Sequence, residues 1–120
     1  MQTLYCLELV GGRFYVGQTP FGRFSRRYDE HFRRGAKWTT RFAPRRVLWT
    51  REVPKTDADQ LEDRACCDIM REHGLNSCRG GTFNIGRDVR AMPKWANPMY
   101  KAAEKDIMSR THQYGVGSGH

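Results

Sequence analysis

The stretch FYVGQTPFGRFSRRYDEHF, residues 14–32, decides the fold expected for this chain. It places Tyr-Val-Gly at the end of a predicted strand, directly before a predicted helix that runs to about Arg34 with Gly35 as its C-cap. At helical spacing, one inward-facing stripe of that helix contains Phe24, Arg27, Tyr28, His31 and Phe32. An arginine and a histidine are costly to bury among aromatic rings unless a hydrogen-bonding or charged partner contacts them. Tyr15, on the preceding strand, is positioned to face Arg27 and His31. The stretch therefore predicts a site that binds an anion.

Two further strands are predicted around this stretch. Residues 3–10 read TLYCLELV and are rich in strand formers, and the following Gly11-Gly12 favours a tight hairpin to a partner strand at residues 13–18. That pairing would bring Tyr5 and Tyr15 onto one small sheet. A third strand is predicted at residues 46–53, where Pro54 ends it.

A second helix is predicted from Thr56 or Asp57 to about residue 73, with Gly74 closing it. Its inward stripe comprises Ala58, Leu61, Ala65, Cys66, Ile69 and Met70. Glu62 lies inside this stripe, and a buried carboxylate is costly unless it is paired or binds a metal. Glu62 is therefore either a metal ligand or the ion-pair partner of Arg27 or another buried cation. The other acids of the helix predict a solvated face, and they are Asp57, Asp59, Asp63, Asp68 and Glu72.

The rest of the chain predicts a loop and a terminal helix. The segment after Gly74 is glycine-rich and polar, with Asn76 and Asn84 as the amides that could reach the site. Pro98 starts a helix whose inward residues are Met99, Ala102, Ala103 and Ile107. The last residues, GVGSGH, predict a frayed end. At 120 residues the chain fits one domain of the α/β class.

The charge balance indicates nucleic acid as the partner. The chain has 21 Lys plus Arg against 13 Asp plus Glu, a formal net charge of +8, and arginine matches phosphate geometry bidentately. Basic and aromatic residues interleave in the first third of the chain, a pattern suited to phosphate contacts and stacking. The predicted DNA contacts are Arg23, Arg26, Arg33, Arg34, Lys37, Trp38, Arg41 and Arg45. The alternative is a solvated basic loop whose aromatic residues cover the core.

Cysteine usage and hydropathy predict a cytoplasmic protein with no membrane association. The adjacent Cys66 and Cys67 argue against a regular disulfide set, so Cys6, Cys66, Cys67 and Cys78 are interpreted as thiols. A zinc site from Cys66, His73 and Cys78 is the alternative, although it matches no regular ligand spacing. No apolar run approaches the ~20 residues that span a bilayer.

Tyr5, Tyr15, Arg27, His31 and Glu62 together form a set that can cleave phosphodiesters. A divalent cation on Glu62 would polarise the phosphate and stabilise the leaving 3′ oxygen, while Arg27 would neutralise charge on the phosphoryl oxygens. A tyrosine or His31 would help to deprotonate the attacking water. A single carboxylate holds magnesium weakly, so water and substrate phosphate would complete its coordination.

The order of these motifs resembles the GIY-YIG nuclease domain over about residues 3–84. The motifs are LYCLEL, FYVG, RRYDEH, a basic GAKWT loop and a helix that carries Glu62. The resemblance implies a small three-stranded antiparallel sheet flanked by helices, and DNA hydrolysis with one metal ion. It implies a nuclease domain at residues 1–90, with a helical extension and flexible tail at residues 91–120 packed on the same domain.

The resemblance also implies roles for individual residues. Tyr5 stands for the tyrosine of the first motif and would be the general base, with Tyr15 or His31 assisting, although Leu4 and Cys6 replace the family's glycine and isoleucine. Tyr15 with Gly17, a predicted structural turn, matches the second motif. Arg27 and His31 match the helix pair, and Glu62 matches the glutamate that binds Mg²⁺ or Mn²⁺. Asn84, or alternatively Asn76, would be the asparagine that closes the site.

The leading interpretation is a metal-dependent DNA endonuclease of a phage or mobile-element type. It would act as a monomer or weak dimer, with specificity from a protein partner, from dimerisation or from DNA structure. One alternative is a non-catalytic DNA- or RNA-binding module of the same fold. Another is a small RNA-binding protein in which Glu62 is only an ion-pair partner.

Overall fold

The structure is a computed structural model that describes residues 1–33, 35–92 and 98–110. Strands β1 (Gln2–Leu9) and β2 (Arg13–Pro20) are followed by helices α1 (Phe24–Glu30) and α2 (Lys37–Arg41). Strand β3 (Pro44–Val53) precedes the long helix α3 (Lys55–His73). Strand β4 (Cys78–Arg79), a 3₁₀ turn (Gly81–Phe83) and helix α4 (Pro98–Met108) complete the described chain.

The β1–β2 hairpin forms as the sequence predicts. Gly11 and Gly12 both have positive φ angles, 78° and 70°, which glycine adopts without steric cost. The antiparallel register pairs Tyr5 with Gly17 and Leu7 with Tyr15. Because β2 continues to Pro20, Gly17 lies inside the strand. The prediction that it forms a structural turn at the strand end is therefore wrong.

The sheet has four strands in the order β3-β1-β2-β4, so the prediction of a three-stranded antiparallel sheet is confirmed only as far as the α/β class. The fourth strand is parallel to β2 and pairs Cys78 with Phe14 and Arg79 with Tyr15. Two residues in a glycine-rich polar segment carry no alternating pattern, which is why the sequence predicts only a loop there. β1 lies between two strands, and this makes it the best-supported part of the sheet.

Each face of the sheet is covered by helices. On one face, Leu4, Cys6 and Val16 belong to a core cluster shared with α3 and α4. On the other face, Tyr5, Leu7 and Tyr15 pack with Trp38 of α2 and against α1. Successive side chains of a strand point to opposite faces, so the alternation along β1 and β2 sends both tyrosines towards α1.

Helix α1 ends earlier than predicted. It stops at Glu30 with His31 as its C-cap, and the bonds from Phe32 N to Asp29 O (3.1 Å) and from Arg33 N to Glu30 O (3.0 Å) tighten the chain into a 3₁₀-type turn. This change of pitch turns Phe32 outwards, where it is 57% exposed. The predicted inward position of Phe32 and the predicted C-cap at Gly35 are wrong, and Arg34 lies outside the described residues.

Helix α3 confirms the predicted second helix and its end before Gly74, but it begins at Lys55 after Pro54, ahead of the predicted start at Thr56 or Asp57. One acid departs from the predicted solvated face. Asp63 is buried, and its carboxylate accepts bonds from the backbone N–H (3.0 Å) and hydroxyl (3.1 Å) of Thr82. The sequence cannot show that Asp63 is buried, because both of its hydrogen bonds come from Thr82, 19 residues further along the chain.

Helix α4 confirms the predicted terminal helix and packs on the core that α3 covers. Ala103 and Ile107 are buried as predicted, whereas Ala102 is exposed and Tyr100 is buried in its place. Residues 111–120, where a frayed tail is predicted, lie outside the described residues. Among the helices in the described ranges, none is both long and apolar enough to cross a membrane.

Candidate active site

Tyr5 and Tyr15 form the floor of the candidate site. Tyr5 is fully buried and Tyr15 is nearly so, and their ring centroids lie 6.3 Å apart. A Cβ added to Gly17 would lie 2.5 Å from Cζ of Tyr5 and 2.8 Å from Cε2 of Tyr15. Gly17 is therefore required because the two phenols lie directly over the backbone of β2.

His31 is joined to the floor by a buried hydrogen bond. Its Nε2 lies 2.7 Å from the hydroxyl of Tyr5, and its Nδ1 lies 2.9 Å from Oγ1 of Thr39 on α2. Burial lowers the pKa of His31 to about 4, and the charge of Arg27 acts in the same direction. The imidazole is therefore neutral at physiological pH.

Arg27 reaches both phenols from α1. Burial raises the pKa of Tyr5 and of Tyr15, and the neighbouring Arg27 opposes this rise in each case. The side chain of Arg27 is 30% exposed, and its guanidinium also pairs with Glu30 at 3.1 Å. It is thus held between the buried rings and solvent, where it can meet an incoming anion.

Glu62 belongs to α3, whose core residues pack on the face of the sheet opposite the tyrosine rings. It is 5% exposed, and its Oε1 accepts a bond of 2.7 Å from Nε2 of Gln18, while the backbone N–H of Gly81 donates a second bond. Burial raises the pKa of Glu62 to about 7 against these two donors. Its charge in turn raises the pKa of both tyrosines, so it lies within electrostatic range of them.

The partner of Glu62 differs from the ion pair that the sequence left open. Arg27 pairs with Glu30 on its own helix, and Gln18 on β2 takes the place expected for a cation. The same Gln18 nitrogen donates to Oδ1 of Asp59 at 2.7 Å. Gln18 and Asp59 therefore belong to the site, although the sequence gives no signal for Gln18 beyond its position on the strand.

A cavity opens next to this carboxylate, lined by Asp59, Glu62, Asp63, Gly81 and Thr82. The side-chain atoms that could bind a metal in this cavity are carboxylate and hydroxyl oxygens, which are the ligands that Mg²⁺ and Mn²⁺ prefer. Within the described ranges, no group of three or more His, Cys, Asp or Glu side chains is arranged to hold a metal ion. Glu62 as the ligand of a weakly held Mg²⁺ or Mn²⁺ ion therefore stays a prediction.

The two asparagines occupy different surroundings. Asn76 is buried, and its amide bonds both the N–H (2.8 Å) and the C=O (3.0 Å) of Val89, so its role is structural and its assignment as the closing asparagine is wrong. Asn84 ends the 3₁₀ turn and is exposed. No hydrogen bond joins Asn84 to the tyrosines, Arg27 or Glu62 in the described part of the chain, so its assignment stays a prediction.

The predicted DNA contacts separate into three groups. Arg23 and Arg26 are exposed and line one groove with Arg27. Arg33 and Lys37 are also exposed, whereas Arg41 pairs with Asp88 (3.0 Å) and Arg45 lies 4.0 Å from Glu8. Arg34 lies outside the described residues.

Trp38 does not belong to a stacking surface. It is fully buried, and its indole N–H donates to the carbonyl of Phe14 at 3.0 Å. Arg79, for which the sequence gives no local signal, is also fully buried, with its guanidinium 4.7 Å from the Trp38 ring. The prediction that Trp38 contacts DNA is wrong, because a short helix turns this side chain into the core.

All four cysteines are free and buried, in agreement with their interpretation as thiols. Burial raises the pKa of Cys6 and of Cys67 to about 12. His73, the third residue of the zinc alternative, lies against the Phe14 ring with a centroid separation of 5.0 Å.

Comparisons of the chain with protein-family models, with curated proteins and with solved structures find no match.

Proposed function

We propose that this protein is a divalent-metal-dependent endonuclease that hydrolyses DNA phosphodiester bonds at a site of the GIY-YIG type. The observation that supports it most is a buried cluster of two tyrosines and a histidine beside an arginine, with a buried carboxylate on α3 whose charge acts on both tyrosines. The Tyr5 hydroxyl bonds His31 at 2.7 Å, and the charges of Arg27 and Glu62 both act on Tyr5 and Tyr15. A folded core has no need of this combination, since each of its polar members costs free energy to bury.

Each residue has a role that follows from its surroundings. Arg27, half-buried beside the groove lined by Arg23 and Arg26, neutralises the charge that develops on the phosphoryl oxygens. Tyr5 accepts a proton from the attacking water while it passes its own proton to the neutral His31. Tyr15 orients the phosphate. A Mg²⁺ or Mn²⁺ ion held by Glu62 would supply Lewis-acid stabilisation of the phosphate and the leaving 3′ oxygen.

DNA is the proposed substrate because of the net charge of +8 and the exposed arginines on and before α1. The exposed Arg23, Arg26 and Arg33 can contact phosphates on either side of the reacting bond. They carry no base-reading information by themselves. We therefore propose that specificity comes from a protein partner, from a weak dimer or from DNA structure, and that the protein acts in the cytoplasm.

Cleavage of supercoiled plasmid with and without Mg²⁺ tests this proposal. We expect nicked and linear products only with the metal, and we expect Arg27→Ala and Glu62→Ala to lower kcat by at least about 100-fold while DNA binding persists. Glu72→Ala is the matched control, because Glu72 is an exposed carboxylate on the same helix, 76% exposed, and should change nothing. Wild-type rates in either site variant would contradict the proposal.

A non-catalytic nucleic-acid-binding module is the second proposal. It is favoured by the hydrogen bonds that already satisfy Glu62, from Gln18 and from Gly81, and by the bond between Tyr5 and His31. This protein would retard DNA or RNA in a gel shift, and it would leave plasmid intact at every Mg²⁺ and Mn²⁺ concentration.

A further inference from the structure

A continuous chain of buried hydrogen bonds leads away from Tyr5. The Tyr5 hydroxyl lies 2.7 Å from Nε2 of His31, and Nδ1 of His31 lies 2.9 Å from Oγ1 of Thr39. The Thr39 hydroxyl then lies 3.1 Å from the carbonyl oxygen of Ala36. His31 and Thr39 are each 2% exposed, so bulk water does not compete for the bond between them.

The carbonyl oxygen of Ala36, at the end of this chain of bonds, determines which atom donates the hydrogen in each of them. The carbonyl of Ala36 can only accept, so Thr39 donates its single hydroxyl hydrogen to it. With that hydrogen committed, Thr39 can only accept from Nδ1 of His31, and this nitrogen carries the ring proton. Nε2 is left with its lone pair, and the bond at 2.7 Å has the Tyr5 O–H as donor.

We infer that Thr39 is a positioning residue, which holds His31 in the tautomer that can accept the proton of Tyr5. The inference rests on the proposed function, because it assigns the destination of the proton that the nuclease reaction releases. Thr39 is 2% exposed and lies behind His31, so it acts through the imidazole, and the sequence gives no local signal for this role.

The local backbone is shaped for this contact. A Cβ on Gly35 would overlap Oγ1 of Thr39 and would lie 3.0 Å from Nδ1 of His31. Only glycine leaves room there for the imidazole and the hydroxyl to meet. The charged and titratable groups that act on His31 or lie against it are Tyr5, Tyr15, Arg27 and Glu30.

The proton transfer balances without another reactant. A water proton moves to Oη of Tyr5 as the Tyr5 proton moves to Nε2 of His31, and the water oxygen forms its bond to phosphorus as the bond from phosphorus to the 3′ oxygen breaks. Tyr5 stays neutral, His31 becomes an imidazolium and the 3′ oxygen leaves with the electron pair. Thr39 keeps its bond from Nδ1–H throughout, so it stabilises the imidazolium after transfer.

Nitrogen NMR of the ¹⁵N-labelled protein tests the tautomer without any substrate. We expect Nδ1 of His31 to give the signal of a protonated ring nitrogen and Nε2 that of an unprotonated one at pH 7. In Thr39→Val this preference should be lost, and in Thr39→Ser it should be kept. A wild-type ring protonated on Nε2 overturns the inference, whether or not the protein cuts DNA.

Kinetics then tests the positioning role. Thr39→Val should lower kcat at least about 10-fold with unchanged KM for DNA, because general-base contributions are about 10²- to 10⁴-fold. Thr39→Ser should restore the rate, and Thr40→Val, at the exposed neighbouring position, is the control. Wild-type kcat in a folded Thr39→Val overturns the inference. If wild-type protein cuts no DNA, the proposed function fails and the NMR result alone decides the tautomer.

Discussion

Glu62 on α3 and His31 after α1 are both buried, and burial holds both side chains towards their uncharged forms. Burial raises the pKa of Glu62 from 4.5 to about 7 and lowers that of His31 from 6.5 to about 4. The folded state therefore binds a proton at Glu62 more tightly than the unfolded state does, and it binds one at His31 less tightly. Between pH 4.5 and 6.5, the contribution of Glu62 to the free energy of unfolding therefore decreases as pH rises, whereas the contribution of His31 increases.

Replacing Glu62 by glutamine should stabilise the fold at pH 8. At that pH the carboxylate is charged, and its burial costs about 1–3 kcal/mol, which an amide of the same shape avoids. The carbonyl oxygen of glutamine still accepts the bond from Gln18. We expect a higher free energy of unfolding in urea for Glu62→Gln, together with loss of metal-dependent cleavage.

Glu72→Gln is the control for this stability measurement, because the exposed Glu72 carboxylate has little desolvation cost to lose. A Glu62→Gln variant that is less stable than wild type at pH 8 would show that the carboxylate is favourably paired in the folded protein.

The pH dependence of stability should separate His31 from Glu62. The Glu62 contribution is lost as pH rises from 4.5 to 7, whereas the His31 contribution is lost as pH falls from 6.5 to 4. In wild type the two slopes oppose each other. The free energy of unfolding of Glu62→Gln should therefore fall more steeply than that of wild type as pH is lowered from 6.5 to 4. Adding His31→Gln to this variant should remove that fall.

Helix α1 places one arginine next to the tyrosines and another in solvent. Arg26 is 77% exposed, and it lines a groove with Arg23 and with Arg27. Arg26→Ala should weaken DNA binding uniformly across sequences and lower the slope of log K against log salt by about 1, the expected loss of one phosphate contact. Lys105→Ala on α4 is the control, since α4 packs on the opposite side of the sheet.

Fluorescence anisotropy with labelled duplexes over a range of salt concentrations measures this slope. An unchanged slope for Arg26→Ala, or an equal change for Lys105→Ala, would show that DNA does not follow the α1 groove.

The elements with strong local signals are those that the sequence predicted correctly. Gly11-Gly12 defines the hairpin, and the apolar period of α3 defines the long helix, because both signals depend on neighbours in sequence. Strand β4 and helix α2 are only two and five residues long, and they form because packing partners arrive from distant parts of the chain. Their positions therefore could not be predicted from local pattern.

The same distinction applies within the site. The sequence predicts that Tyr5, Tyr15, Arg27 and His31 lie together, because each occupies a periodic position of a recognisable element, and the structure brings them together. Thr39, Gln18 and the buried Asp63 were missed, since their contacts are made with side chains or backbone groups from other elements. Trp38 was misassigned for a related reason, because a basic neighbourhood does not show which way an aromatic ring points.

At the scale of the whole molecule, α4 closes the core on the face of the sheet opposite the tyrosines. Ile107 is fully buried there, next to residues of α3. Ile107→Ala should lower the free energy of unfolding by about 2–5 kcal/mol, as expected for deleting a large aliphatic side chain from a core. Ala102→Ser, at an exposed position of the same helix, should have little effect.

Urea denaturation of both α4 variants checks this, with plasmid cleavage measured in parallel. We expect Ile107→Ala to keep kcat at temperatures where it stays folded. A stability equal to wild type would show that α4 does not complete the core.

The four interior thiols have one practical consequence. All four sulfhydryls are enclosed by packing, and burial raises the pKa of Cys6, Cys67 and Cys78, so an alkylating reagent that needs an accessible thiolate does not modify them in the folded protein. Iodoacetamide should therefore modify the cysteines only when the chain opens, and mass spectrometry of the modified protein would count opening events without an engineered probe. The native sequence thus carries its own reporter of transient exposure, spread over β1, the middle of α3 and β4.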